Sequence, residues 1–133
     1  MLNTLIKMVN VLKADATLTA IVPATQMFVG PVDVTEEAQS SLLLPQINLT
    51  MIGESSRTVP PVRDTRIQLD IWTRNSQLEL ETIYERIVTL LNYVIADQGS
   101  THIYWQRLES AVDQYEGDRR VWHRACDFTV WNQ

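Results

Sequence analysis

The residues best able to do chemistry in this chain are two histidines, His102 and His123, one cysteine, Cys126, and 16 acidic side chains. A metal centre needs several ligands converging, and neither a C-x-x-C nor an H-x-x-x-H spacing occurs. His123 and Cys126 fall on opposite parity within one alternating segment, so a strand would send them to opposite faces. Cys126 lies among alternating apolar residues and reads as a small buried hydrophobe. No serine sits in a nucleophile elbow, and the four glycines are scattered, forming neither a phosphate loop nor a dinucleotide motif. Carboxylate pairs such as Glu109 with Asp113, or Asp70 near Asp127, could in principle serve as acid and base. With so many acids some must lie close together, and solvated faces or salt bridges are the simpler reading. The expectation is no catalytic residue, no metal and no cofactor.

The elements that must carry these residues follow from periodicity. Leu2, Leu5, Ile6, Val9 and Leu12 recur at helical steps, with Asn3 or Thr4 as caps, and a second short turn from Thr17 to Ile21 is stopped by Pro23. A short strand is expected at Met27–Val29, then an irregular surface loop from Gly30 to Pro45. Gln46–Ile52 and Thr65–Thr73 alternate apolar and polar residues, and the two strands are natural antiparallel partners. Their connection, Gly53–Asp64, is too long for a tight turn and carries Pro60 and Pro61, so it is expected to be an exposed arm outside the sheet ladder. Ser76 and Glu79 form a capping box ahead of a helix whose Leu80, Ile83, Tyr84, Ile87, Leu91 and Val94 share a face, with Gly99 at its exit. Two strands close the chain, His102–Ser110 and Val121–Trp131, joined by turn-forming Asp113, Glu116, Gly117 and Asp118.

The order is helix, strand, strand, strand, helix, strand, strand. It predicts an α+β fold with a mainly antiparallel sheet and two packing helices, in one domain over residues 1–133. A chain of 133 residues with 45% hydrophobic and 20% charged residues is long enough for one core. No apolar run reaches membrane length and no secretory leader is seen, so a soluble protein made in the cytoplasm is expected. A net charge of -5 and a pI near 4.9 oppose tight binding to nucleic acid. Tryptophan is the informative excess: Trp72, Trp105, Trp122 and Trp131 all fall in expected strands. Trp72 and Trp131 take the parity opposite to their strands' main apolar residues, so they should cover the second sheet face or meet a neighbouring subunit.

From Arg66 to Trp131 the chain resembles the tail-completion, or tail-terminator, proteins of long-tailed phages. The resemblance is carried by RIQLDIW at 66–72, RLES at 107–110 with Asp113, Tyr115 and Glu116 after it, and DFTVW at 127–131. It implies a structural virion protein at the head-proximal end of the tail, made in the host cytoplasm. It further implies a hexameric homo-oligomer that ends growth of the tail tube and meets both the tube protein and the head connector or neck protein. DNA would pass through the lumen without specific binding, with no membrane, cofactor or catalysis involved. The candidate interface residues are Glu54, Arg57, Arg63 and Asp64 on the arm, together with Trp72 and Trp131. The competing expectations are a head-completion or neck ring protein of the same fold and a soluble intracellular binding module, which would show an apolar groove.

Overall fold

In the computed structural model residues 2–30, 44–58, 61–92, 96–98, 101–117 and 120–132 are described. Helix α1 (Leu2–Lys13) is followed by the single turn α2 (Ala16–Thr19) and a 3-10 turn, Ala24–Gln26. Strands β1 (Met27–Val29), β2 (Gln46–Thr58) and β3 (Pro61–Thr73) come next, then helix α3 (Gln77–Leu91) and strands β4 (Ala96–Gln98), β5 (Thr101–Glu116) and β6 (Val121–Asn132). The six strands form one sheet in the order β1-β2-β3-β6-β5-β4. β1 runs parallel to β2 and every other neighbour is antiparallel. The α+β class is as the periodicity implied.

α3 forms for the reasons legible in its sequence. Ser76 caps it, its hydroxyl accepting from the Glu79 N–H at 3.0 Å. Glu79 does not complete the box by reaching back. Its carboxylate instead accepts from the Thr73 hydroxyl at 2.8 Å and from Asn75 Nδ2 at 2.7 Å, fastening the end of β3 to the first turn of the helix. Leu80, Ile83, Ile87 and Leu91 are completely buried against one sheet face. That face carries Ile47 and Leu49 of β2, Ile67, Leu69 and Ile71 of β3, and Cys126, Phe128 and Val130 of β6. Burial of each such side chain contributes about 1.5–3 kcal/mol, so this layer dominates the stability. α2 is tied to α3 through Asp15, which caps Leu18 N–H at 2.8 Å and receives Nε and Nη2 of Arg86 at 2.8 and 2.6 Å.

Several local expectations are corrected. α1 begins at Leu2, so Asn3 and Thr4 lie inside it, and Thr4 is buried. Its core stripe is Leu5, Met8, Val9 and Leu12, while Ile6, one residue-step around the helix, is exposed. β5 runs on to Glu116, because Asp113 and Tyr115, which read as turn chemistry and its flank, pair across to Arg124 and Trp122 of β6. The Gly53–Asp64 arm is not outside the ladder: β2 and β3 stay paired to Thr58↔Pro61. A bulge between Met51 and Gly53 absorbs the register change. Pro61 opens its strand at the very end of the hairpin, where a missing donor is tolerated. β4 had no sequence signal strong enough to be read. The expected exit of α3 at Gly99 is also corrected: the helix ends at Leu91 with Asn92 as an extended C-cap, and Ala96–Gln98 already form β4. Val94 and Gly99 themselves lie outside the described residues, as does most of the expected loop from Gly30 to Pro45.

Candidate assembly surface

The sheet face away from the helices is polar at its centre and built as a network. Trp72 lies directly opposite His123 across the β3–β6 ladder. Their rings stack in parallel, centroids 3.8 Å apart. Trp72 Nε1 donates to Asn48 Oδ1 at 3.0 Å, and Asn48 Nδ2 donates to the Gly30 carbonyl at 3.2 Å, which ties the end of β1 to the sheet. His123 Nε2 and Asp70 Oδ1 are 2.6 Å apart, and Gln68 Nε2 donates to both Asp70 oxygens at 3.0 and 3.2 Å. Trp72 is thus only 7% exposed and offers little of its own area to a partner, while its indole N–H is satisfied within the chain.

The other candidate residues gather elsewhere on the sheet. Glu54 is exposed just past the bulge, opposite Thr65, and Asp64 lies between Ser55 and Trp131 in the register. Arg63 faces Ser56 and Arg57 faces Val62 at the hairpin end, their side chains lying outside the described residues. Trp131 is half-buried, opposite Asp64 on one side and Trp105 on the other. Glu54, Arg57, Arg63, Asp64 and Trp131 therefore share one end of the sheet, and Trp72 lies eight rungs away along β3, about 26 Å. Parity showed which face both tryptophans take; it could not show their separation. Asn48, Gln68, Asp70 and His123 were not singled out as a set, although the polar alternation of Gln68 and Asp70 before Trp72 was a visible signal.

Glu109 and Asp113, one of the two carboxylate pairs noted in the sequence, are each engaged by an arginine, while Asp127 of the other pair accepts from the Ser110 hydroxyl at 3.3 Å. Arg107 Nη2 meets Glu109 Oε1 at 2.6 Å. Arg124, buried on the helix face, donates from Nε and Nη2 to the two oxygens of Asp113 and from Nη1 to Glu81 Oε2 at 2.6 Å. Its guanidinium carbon sits 4.5 Å from the centre of the Tyr84 ring, so one arginine joins β5, β6 and α3. The bonded Arg124 guanidinium holds the Asp113 carboxyl below its ordinary value of 3.8. A depressed folded-state value means that the linked stability is present at neutral pH and is lost as pH falls below about 4. Asp113→Asn is accordingly expected to lower the urea midpoint at pH 7 and to flatten its fall below about pH 4, wild type and variant converging in acid. Parallel acid limbs for the two proteins would show that this pair contributes nothing.

Burial pushes the Cys126 thiol up to about 12, which makes it a poor nucleophile at neutral pH. Among the described residues no three His, Cys, Asp or Glu side chains are placed to hold a metal ion, and no helix is long and apolar enough to cross a membrane. Large apolar side chains are exposed at the two flanks of the sheet, Phe28 and Ile52 on one and Val112 and Tyr115 on the other. These were not anticipated, since a single exposed Ile or Val inside an alternating strand looks like any other.

A family model described as tail completion protein gp17 matches residues 6–133. The fold is similar to that of a chain in a solved structure of the virion of a native gene transfer agent particle, with a TM-score of 0.69 and 12% identity, covering 94% of this chain and 90% of that one. At that identity the likeness is one of fold. No curated protein matches the sequence.

Proposed function

The chain belongs to the phage tail completion protein family, structural components of the virion, and from that premise we propose that it forms a hexameric ring at the head-proximal end of the tail. The ring stops growth of the tail tube and presents the surface that joins the tail to the head connector. The observation that carries this reading is the span of the family match, which runs from within α1 to the end of the chain and so takes in the whole sheet and its helices.

Physical features of the subunit support the reading. A closed ring needs two unlike surfaces on each copy, and the sheet ends in two unlike flanks, one of β1 and β2 and the other of β4 and β5. The charge accumulates: six copies at -5 carry about -30, and whatever share lines the lumen keeps passing DNA from adhering. The partners are the tail tube protein on one side and the connector or neck protein on the other, with DNA passing unbound. The whole of residues 1–133 acts as one domain, synthesised in the host cytoplasm and working without a cofactor as scaffold rather than catalyst. Deleting the gene and complementing it is the test. Without the protein, full heads should accumulate beside unattached tails of irregular length, and complementation should restore joined particles. Unattached tails of normal, uniform length would point instead to a head-completion role and overturn this reading.

A further inference from the structure

The two long strands that flank the sheet each have a stretch of outer edge along which no described strand pairs. On β2, β1 pairs only with Ile47, Asn48 and Leu49, and beyond the bulge the run Gly53–Thr58 is paired with β3 alone among the described strands. On β5, β4 pairs only with Thr101, His102 and Ile103, and Asn92 Oδ1 accepts from the outward Leu108 N–H at 2.9 Å. Past the bulge between Leu108 and Ser110, the run Ser110–Glu116 is paired with β6 alone among the described strands. Neither run, GESSRT or SAVDQYE, contains proline or lysine; each adjoins a bulge and carries two charged residues, which favour a partner edge of complementary charge over indiscriminate pairing. The β5 run also exposes Val112 (58%) and Tyr115 (51%), on opposite faces by alternation, and the root of the β2 run exposes Ile52 (51%).

We propose that Gly53–Thr58 of one copy pairs, antiparallel, with Ser110–Glu116 of the next, so that the sheet runs on from subunit to subunit. The occupant of each edge is a second copy of this chain, and the inference rests on the ring reading above. The directions agree, because β2, β3, β6 and β5 are antiparallel in succession, which leaves β2 and β5 opposed. Copies turned about an axis in the general sense of the strands therefore bring together edges of opposite direction, the pairing that antiparallel ladders need. The contact is also heterologous, one flank against the other, as ring closure requires.

The blocked parts of the edges fix the stagger. β1 closes one end of the β2 edge, and β4 with Asn92 closes the opposite end of the β5 edge, which leaves these two runs, among the described residues, to meet. Carried across the ladders onto β3, those runs lie roughly seven residues apart, about 25 Å along the strands. Over the four long strands that each copy adds, about 19 Å wide, this offset corresponds to a strand tilt of about 53°, steeper than the 35–45° typical of closed sheets. An added strand would cover Val112 and Tyr115 from the side.

Disulfide trapping tests the pairing, since within one copy the two runs are separated by β3 and β6. That is three strand spacings, about 14 Å, too far for a disulfide, which needs Cα atoms about 4.4–6.8 Å apart. In a Cys126→Ala background, Ser55→Cys or Ser56→Cys is combined with each of Ala111→Cys, Val112→Cys and Gln114→Cys, and purified particles are oxidised. The expected result is a non-reducing ladder reaching six chains for at least one register, with only monomer from the single-cysteine controls. Particles that show the ring by electron microscopy but yield only monomer from all six pairs would overturn the edge pairing and leave the ring reading intact. Particles in which no ring is present would overturn both.

Discussion

Replacing Ser55–Val62 with a brief Gly-Ser turn is expected to leave a folded subunit that no longer joins heads to tails. The replaced residues form the last rungs of the β2–β3 hairpin, Ser55↔Asp64 to Thr58↔Pro61. The described core of these strands lies elsewhere, at Ile47 and Leu49 in β2 and from Ile67 onwards in β3. Losing four terminal cross-strand pairs should cost about 1–4 kcal/mol in total. The loss in assembly should be far larger, because the change removes Arg57, most of the β2 edge run and the hairpin end on which Glu54, Arg63 and Asp64 sit. Circular dichroism and a urea titration would check the fold. Counts of joined particles and infectious titre should fall to the level of particles made without the protein. Normal numbers of joined, infectious particles would show that the hairpin end is ornament.

Ile87→Ala should be among the most destabilising single truncations on α3, with Leu80, Ile83 and Leu91 buried to the same degree. The side chain is completely buried between α3 and the sheet face of Ile67, Leu69, Cys126 and Phe128. Removing it leaves a cavity in a close-packed layer, at a cost of about 2–5 kcal/mol. Against a total stability of roughly 5–15 kcal/mol, that is a drop in melting temperature of roughly 7–18 °C. Thr89→Ala, on the exposed face of the same helix, should stay within about 0.5 kcal/mol of wild type. A loss under about 1 kcal/mol for Ile87→Ala would mean that the helix does not bury this stripe.

Which parts of the fold were legible in the sequence depends on how local their causes are. α3 could be read because its cap, its apolar stripe and its length agree with one another. β2, β3 and β6 could be read because alternation is itself local. What escaped was set by partners distant in sequence. Asp113 looked like turn material until Arg124, on the apolar parity of β6, is seen to require its carboxylate. The stack of Trp72 on His123 depends on a β3–β6 register that neither strand encodes alone. Two prolines argued against a ladder that in fact continues to Thr58↔Pro61, because a bulge at Ile52 is invisible in the residue pattern. Of the candidate interface, neither the placement of Trp131 beside Asp64 of the charged arm nor the burial of Trp72 could be read from the sequence, because both are set by the β3–β6 register.

The central claim, a ring at the upper end of the tail, is tested most directly by cryo-electron microscopy of the head–tail junction in intact particles. The expected result is six copies of this fold in a closed ring between the last layer of tail tube and the connector, with the lumen open for DNA. Density for the protein at the distal tip of the tail, or its absence from purified particles, would contradict the account.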